Sequence, residues 1–502
     1  MTERVLVIGA GMAGLFTALA LGGEGRQIDI LERDPPTPTG GADEAFHDWN
    51  RRGVGHLRHS HAFLARLRSL VRDHHPALLE DLRAAGCQEM KFADGLPAAS
   101  RDRYRPEPGD EILTVITSRR TTLELVIRRY VERMPGVTLH SSVNVTGLVG
   151  SLDAEGRFVC EGLRLKDGEA EREERADVVI DAAGRTSQGF DWLAEQGLSW
   201  DEESEDAGIL YYTRHWRLLP GQSPPERGPV PGAGDMGFIK YGVFPADNGC
   251  FSITLSVPEI EETLRLAVMR PEIFDRICQL LPGVAPWIAA DRSEPVSKVY
   301  GMGDLKSRWR STVRDGKPIA LNLFFAGDGL ARTNPLYGRG CSFAAIAAYL
   351  LRDVLAGDRD PVARALAYQA AVDSDLRPYF RDMRSQDRQA IRRARNTLDP
   401  SYRPRFKARL MKSFAEDAIA PALRSDPALL RAFMRGFHML EPSSTWLKRP
   451  STFAKVLTAW AKPRALKQKY YPPKLGPDRA EMFAALELSA TADAQRLGLV
   501  AA

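Results

Sequence analysis

Cysteine is scarce in this chain: five in 502 residues, Cys87, Cys160, Cys250, Cys278 and Cys341, with no C-x-x-C spacing. Such a scattered, odd-numbered set excludes a disulfide framework and a cysteine-built metal site, and it fits a reducing, cytoplasmic setting. Long apolar runs are missing too. The most apolar stretch, residues 343–351, falls well short of the ~18–20 residues that span a bilayer. Nor does one sign of charge dominate. Sixty-nine Lys and Arg against 65 Asp and Glu leave +4, too little for bulk electrostatics to hold nucleic acid. The N-terminus enters an apolar strand directly, so no secretory leader is expected. Histidines and acids form no metal-like cluster, and internal repeats are absent. What remains is an ordinary globular composition, 44% hydrophobic with 42 Gly and 33 Pro, in a chain long enough for more than one domain.

The chemistry begins at once. Residues 5–8 read as a buried strand, followed by Gly9-Ala10-Gly11-Met12-Ala13-Gly14 and a helical run to about Leu21. In that context G-x-G-x-x-G is a dinucleotide cradle. Gly9 permits the tight turn, Gly11 lets backbone approach a pyrophosphate, and Gly14 lets the helix pack on its strand; the helix N-terminus supplies free N–H groups. A second strand, residues 28–31, delivers Glu32 about 18 residues past Gly14, where an acid accepts hydrogen bonds from ribose hydroxyls. This pattern alone leaves NAD and FAD both open. Far downstream, residues 321–326 form a strand that runs into Gly327-Asp328-Gly329. Asn334-Pro335-Leu336-Tyr337-Gly338-Arg339-Gly340 follows, and then a small-residue helix from Cys341. An Asp in such a turn holds sugar-like hydroxyls, and the glycines expose N–H groups to an anionic ring edge.

Together these two segments resemble the fingerprints of FAD-dependent aromatic hydroxylases and epoxidases with the p-hydroxybenzoate hydroxylase fold, most nearly the bacterial polyether-epoxidase-like branch. The resemblance spans about residues 3–355. It includes Val54-Gly55-His56-Leu57-Arg58-His59-Ser60-His61 and Ser118-Arg119-Arg120-Thr121-Thr122-Leu123. It implies FAD as cofactor, O2 as co-substrate and NAD(P)H as direct or indirect electron donor. By the same likeness Glu32 contacts the adenosine ribose, Asp328 the ribityl chain, and Gly338 and Gly340 the pyrimidine edge of the isoalloxazine. Arg120, with Arg119 as substitute, lies by the phosphates. Met12, Ala13, Arg33, Gly327 and Cys341 complete the expected cofactor set, and Arg58, His59 and Pro335 are the candidates beside the reacting ring. If the segment is helical, His59 and His61 point about 200° apart, so only one of them faces the flavin.

The pattern departs from the family at one motif. Where such hydroxylases carry adjacent Asp-Gly, this chain reads Asp181-Ala182-Ala183-Gly184. The departure argues against direct reduction by NAD(P)H and toward a separate flavin reductase, while Asp181 and Gly184 still suit a turn beside the cofactor. The Trp-x-Trp-x-Ile-Pro segment of flavin halogenases and the Baeyer–Villiger fingerprint are both missing.

The expected fold is α/β: a discontinuous Rossmann-like FAD domain (1–190 and 300–360), an inserted antiparallel-sheet substrate domain (191–299) and a C-terminal helical region (361–502). Asn248-Gly249 between apolar runs marks a hairpin, and the inner face of that sheet is expected to be an apolar pocket over the ring. Prolines at 378, 400, 404, 421, 427, 442 and 450 are read as breaks between short helices. Residues 448–474 hold eight Lys or Arg and no acid, around the stripe Phe453, Val456, Leu457 and Trp460. That pattern suits either docking on the body or a peripheral membrane contact. The expected activity is hydroxylation or epoxidation of a lipophilic or aromatic substrate by a flavin hydroperoxide. The alternatives are FAD-dependent reduction of an isoprenoid or polyketide double bond, and flavin binding without turnover.

Overall fold

The computed structural model describes residues 2–23, 25–168 and 170–500. Five parallel strands form the central sheet, in the order Leu323–Phe325, Val178–Asp181, Glu3–Ile8, Arg26–Glu32 and Val137–Ser141. The near-continuous burial of all but the edge strand Val137–Ser141 is that of a sheet covered on both faces. Helices Met12–Leu21 and Gly340–Leu355 pack together beside it, each following a strand whose C-terminal end supplies a cofactor turn. The sequence reading did not anticipate the antiparallel meander of Asn144–Leu152, Phe158–Asp167 and Ala170–Arg175.

The second large sheet is antiparallel, in the order Ala233–Asp235, Lys240–Pro245, Cys250–Pro258, Ile209–Leu218 and Ser293–Pro295. Tyr300–Met302 also pairs with Ile209–Leu218. The hairpin expected at Asn248-Gly249 is present, with both residues at positive φ. Period-two alternation gives this sheet two unlike faces. Phe251, Ile253, Leu255 and Val257 join an apolar core with Tyr212, Trp216, the helix Pro271–Leu280 and the distant Met482 and Phe483. Ser252, Thr254 and Ser256, with Tyr211 and Thr213, face the opposite way. The apolar pocket expected on the inner face is corrected in part: the apolar side of the central strands is turned outward under helices, and on the inner face hydroxyl groups stand together with Phe244 of Lys240–Pro245.

The C-terminal residues are distributed over both halves. Tyr368, Val372, Leu376, Tyr379, Phe380 and Met383 enter the core of the Rossmann-like sheet, whereas Ala418, Ala422, Leu429, Trp446 and Val456 form a small core of their own. Pro378 marks a break as expected: the helix Pro361–Asp375 ends just before it, and Pro378 occupies the first turn of the 22-residue helix Arg377–Leu398, where its missing N–H has no intrahelical partner to lose. In 450–461 the expected stripe divides: Val456 is buried and Trp460 packs beside it, while Phe453 and Leu457 remain exposed.

One buried ion pair joins the two sheets. Asp247, in the hairpin turn, accepts hydrogen bonds from the Arg119 backbone N–H (2.8 Å), Arg119 Nε (3.0 Å) and Thr122 Oγ1 (2.9 Å). Burial alone would push the Asp247 carboxyl up, but Arg119 holds it below its ordinary value. Asp247→Ala would leave the buried Arg119 guanidinium with only the half-exposed Asp43 as partner, and a loss of about 3 kcal/mol is expected. A shift of the urea midpoint measures it; a wild-type midpoint would show that this pair does not hold the sheets together.

Candidate functional site

Both cofactor turns open into one cavity of about 750 Å³, within the size range of cofactor and ligand sites. At its N-terminal end Gly9 has φ +93°, and a Cβ on Gly14 would lie 1.9 Å from the Gly9 carbonyl oxygen. Only glycine permits that contact between helix and strand. A Cβ on Gly11 would meet no atom within 4 Å, because Gly11 borders the open cradle. Met12 and Ala13 line the cavity; Gly14 does not, consistent with a packing role.

Glu32 lines the same end. It accepts from the N–H groups of Ala10 (2.8 Å) and Asp34 (2.9 Å) and from Arg51 Nη2 (2.9 Å). Three of about four acceptor sites are thereby used, and one stays free for a ribose hydroxyl. Arg51 also bonds Asp34 (3.0 Å) and Glu124, and Glu124 accepts from Arg120 Nε at 2.7 Å. Burial would raise the Glu124 carboxyl, but Arg51 and Arg120 on either side hold it down. Arg120 continues to Cys341 Sγ at 2.9 Å, in the first turn of Gly340–Leu355. Arg120 therefore faces the cavity, as do Arg33 and Cys341. Arg119 points away to Asp247 and Asp43, which removes it as a phosphate ligand.

Asp181, Gly184, Gly327, Asp328, Pro335, Gly338 and Gly340 all border the cavity. Asp181 is committed to its own turn, accepting from Ala183 N–H (3.0 Å) and Ser187 Oγ (2.7 Å). Asp328 is different: no protein group hydrogen-bonds its carboxylate among the described residues. Burial pushes that carboxyl above its ordinary value against the pull of Arg332, Arg185 and Arg120. A half-buried acid without a protein partner, facing a cradle of this kind, fits a hydroxylated chain such as ribityl. The Pro335 turn is fixed from below. Asn334 caps the Leu336 N–H (3.0 Å), accepts from Tyr211 OH (2.6 Å) and donates to Asp387 (2.9 Å).

The histidine segment is not helical. Residues 56–61 run through turns into the short strand Ala62–Phe63, and His56, His59 and His61 all line the cavity. The expectation that only one of His59 and His61 faces it fails, because the 100° rotation of a helix does not apply to this backbone. Arg58 does not line the cavity. Its guanidinium is spent on the carbonyls of Phe46 (2.7 Å), His47 (3.0 Å) and Trp49 (3.1 Å), so it holds the loop together and does not reach the cavity.

His59 begins a relay of hydroxyl groups. Its Nδ1 lies 2.9 Å from Thr213 Oγ1, Thr213 lies 2.7 Å from Thr254, and Thr254 donates to Ser60 at 2.7 Å. Since Thr254 donates onward, Thr213 donates to Thr254 and accepts from Nδ1–H, leaving His59 Nε2 as an acceptor.

The sequence reading missed Arg51, Glu124, Arg185 and Asp247, isolated charges without a motif. It also missed the helix Pro427–Phe437, whose Leu430, Met434 and Phe437 close the far side of the cavity with Phe63, Phe92 and Phe244. Among the described residues no group of three or more His, Cys, Asp or Glu is placed to hold a metal, and no helix is long and apolar enough to cross a membrane.

The paired turns and the open cradle define a flavoprotein of the Rossmann-like class. The chain belongs to the FAD dependent oxidoreductase family, whose pattern matches residues 4–354; it is an FAD-dependent oxidoreductase, with FAD as its cofactor. It is 26% identical over 375 residues to the protein Rv3254 of Mycobacterium tuberculosis, covering 70% of this chain and 73% of that one. It is 24% identical over 368 residues to the para-nitrophenol 4-monooxygenase of Pseudomonas sp. strain WBC-3, covering 70% and 77%. Among solved structures, the anhydrotetracycline hydroxylase OxyS of Streptomyces rimosus superposes with a TM-score of 0.53 at 18% identity, covering 88% of this chain and 76% of that one. That last likeness is one of fold.

Two outcomes test the site. Asp328→Ala should weaken FAD binding about 10- to 100-fold, the worth of a hydrogen bond to a charged group, read by flavin fluorescence titration; an unchanged Kd would place the ribityl chain elsewhere. Burial holds His59 at about 4, below its ordinary 6.5. Protonation therefore favours the unfolded chain: the stability contribution is full above pH 6.5 and is lost as pH falls toward 4, at about 1.4 kcal/mol per pH unit. His59→Gln should flatten the fall of the urea midpoint between pH 6.5 and 4.5, and an identical slope would refute the buried neutral state.

Proposed function

We propose that this oxidoreductase is a monooxygenase that hydroxylates or epoxidises an apolar organic substrate, aromatic or polycyclic. The observation that carries the reading is the continuity of the cavity: one space runs from the Gly11 and Asp328 cradle to a chamber walled by Phe63, Phe92, Phe244, Leu430 and Met434. Bound FAD would supply the two electrons and the activation of O2. Gly9, Gly11, Glu32 and Arg120 would hold its dinucleotide part and Asp328 its ribityl chain. The turn from Pro335 to Gly340 would border the ring, with the start of Gly340–Leu355 directing backbone N–H groups at its anionic edge.

The chain's own task is then to bind, orient and exclude water. The apolar walls keep the chamber dry, while the hydroxyl-bearing sheet face orients a polar substituent. His59 Nε2, the acceptor end of the relay, takes a hydrogen bond from a substrate hydroxyl. The relation to a para-nitrophenol 4-monooxygenase supports a substrate of this kind. Electrons come from NAD(P)H, directly or through a separate flavin reductase, and the separated Asp181 and Gly184 favour the latter. All five cysteines are free thiols, in keeping with work in the cytoplasm.

The test is turnover under ¹⁸O2 of FAD-loaded protein with an added flavin reductase and NADH, offered a panel of substituted phenols and polycyclic aromatics. Product containing one ¹⁸O is expected. A product changed by two hydrogens would establish a reductase instead, and flavin reoxidation without any oxygenated product would overturn the proposal.

A further inference from the structure

We propose that residues 401–412 form a docking surface for an anionic lipid bilayer. Every residue from 401 to 412 is exposed, and the helix Phe406–Ser413 buries none of its side chains. Helices of soluble proteins ordinarily bury one apolar face. Here Phe406 (73% exposed), Leu410 (42%) and Met411 (56%) stand in solvent. Phe406 and Leu410, four residues apart, share one ridge, flanked by Lys407 and Arg409.

The charge pattern selects the occupant. Between residues 401 and 412 there are five cations, Arg403, Arg405, Lys407, Arg409 and Lys412, and no acid. Arg405, Lys407 and Arg409 form no ion pair among the described residues, Arg403 bonds only backbone carbonyls, and Lys412 lies 3.9 Å from Glu416. Residues 448–474 are the contrasting case. There Arg449 pairs with Glu441, Lys455 with Asp426, Arg464 with Asp417 and Lys474 with Glu481, while Lys467 Nζ is spent on three carbonyls. In the segment whose composition first suggested a membrane contact, four of the eight cations are thus paired with acids, whereas at 401–412 only Lys412 has an acid within 4 Å among the described residues.

This surface is held in place. The helix continues into Phe414–Ile419, Trp460 Nε1 donates to Ser413 Oγ (3.2 Å), and Phe414 packs edge-on against Trp460. Leu466, 72% exposed, projects from a turn that Arg464 and Lys467 tie to Asp417. Projecting apolar side chains ringed by unpaired cations match a fluid anionic interface, where the apolar groups enter the acyl boundary and the cations meet headgroups. The same helical unit presents Leu430, Met434 and Phe437 to the cavity, so docking would bring the substrate chamber close to a lipid phase. The inference concerns the surface and does not depend on which reaction the cavity performs.

Co-sedimentation of the full-length, FAD-loaded protein with vesicles tests it. Binding is expected to phosphatidylcholine vesicles containing half phosphatidylglycerol, at least about tenfold weaker to pure phosphatidylcholine or in 0.5 M NaCl. The charge reversal Lys407→Glu/Arg409→Glu/Lys412→Glu should lower binding by about 100-fold or more. Phe406→Ser/Leu410→Ser should lower it about tenfold with an unchanged melting temperature, since neither side chain is buried. Equal binding of the charge-reversed protein, or no preference for the anionic vesicles, would overturn the proposal. So would a dimer in solution that the Phe406→Ser/Leu410→Ser change dissociates, because a second copy would then be the occupant.

Discussion

A chain of buried charges, Glu32–Arg51–Glu124–Arg120, organises the cofactor half of this protein. Arg51, Glu124 and Arg120 are almost wholly removed from solvent, and each charge is tolerated because an opposite one touches it. The chain links the end of the strand Arg26–Glu32, a loop, the helix Arg120–Val131 and, through Cys341, the start of the helix Gly340–Leu355. Glu124 itself does not border the cavity. Its role is to hold Arg51 and Arg120 at a fixed separation, so that both ends of an extended cofactor meet a preformed surface. The neighbouring Arg119 turns to the opposite side and clamps Asp247, so two consecutive arginines divide the labour: one borders the cavity, the other fastens the antiparallel sheet.

That fastening explains why the antiparallel sheet can face the cofactor with hydroxyl groups. Its apolar side chains are satisfied elsewhere, under Pro271–Leu280 and the returning Met482 and Phe483. The apolar walls of the chamber come from Phe244 of the sheet's own strand Lys240–Pro245, from Phe63 and Phe92, and from the C-terminal helix Pro427–Phe437. A chamber with one hydroxyl-bearing face and apolar remaining walls suits a largely hydrophobic molecule carrying a polar handle.

The cofactor half was legible in the sequence because its chemistry is local. Gly9, Gly11, Gly14 and Glu32 sit at spacings set by one turn and two adjacent strands, and Asp328 and Gly338 by another strand and helix start. Every one of them except the packing glycine Gly14 borders the cavity. The substrate half was not legible in the same way. Asp247 meets Arg119 across 128 positions, and Leu430 and Met434 reach the cavity from a segment whose composition indicates only helices. His59 and His61 were misplaced because a helical rotation was assumed for a backbone that turns. For the basic run at 448–474 composition counts the charges but not their partners, and the acids that pair with Arg449, Lys455 and Arg464, namely Glu441, Asp426 and Asp417, all lie outside the run.

The most direct test of the cofactor account is the FAD affinity of Glu124→Gln, a change of nearly the same shape at a residue that does not border the cavity. If the buried charge chain sets the cradle, the Kd measured by flavin fluorescence rises at least about tenfold, while circular dichroism shows the fold retained. A Kd within twofold of wild type would contradict the account and leave the glycine turns and Asp328 as sufficient on their own.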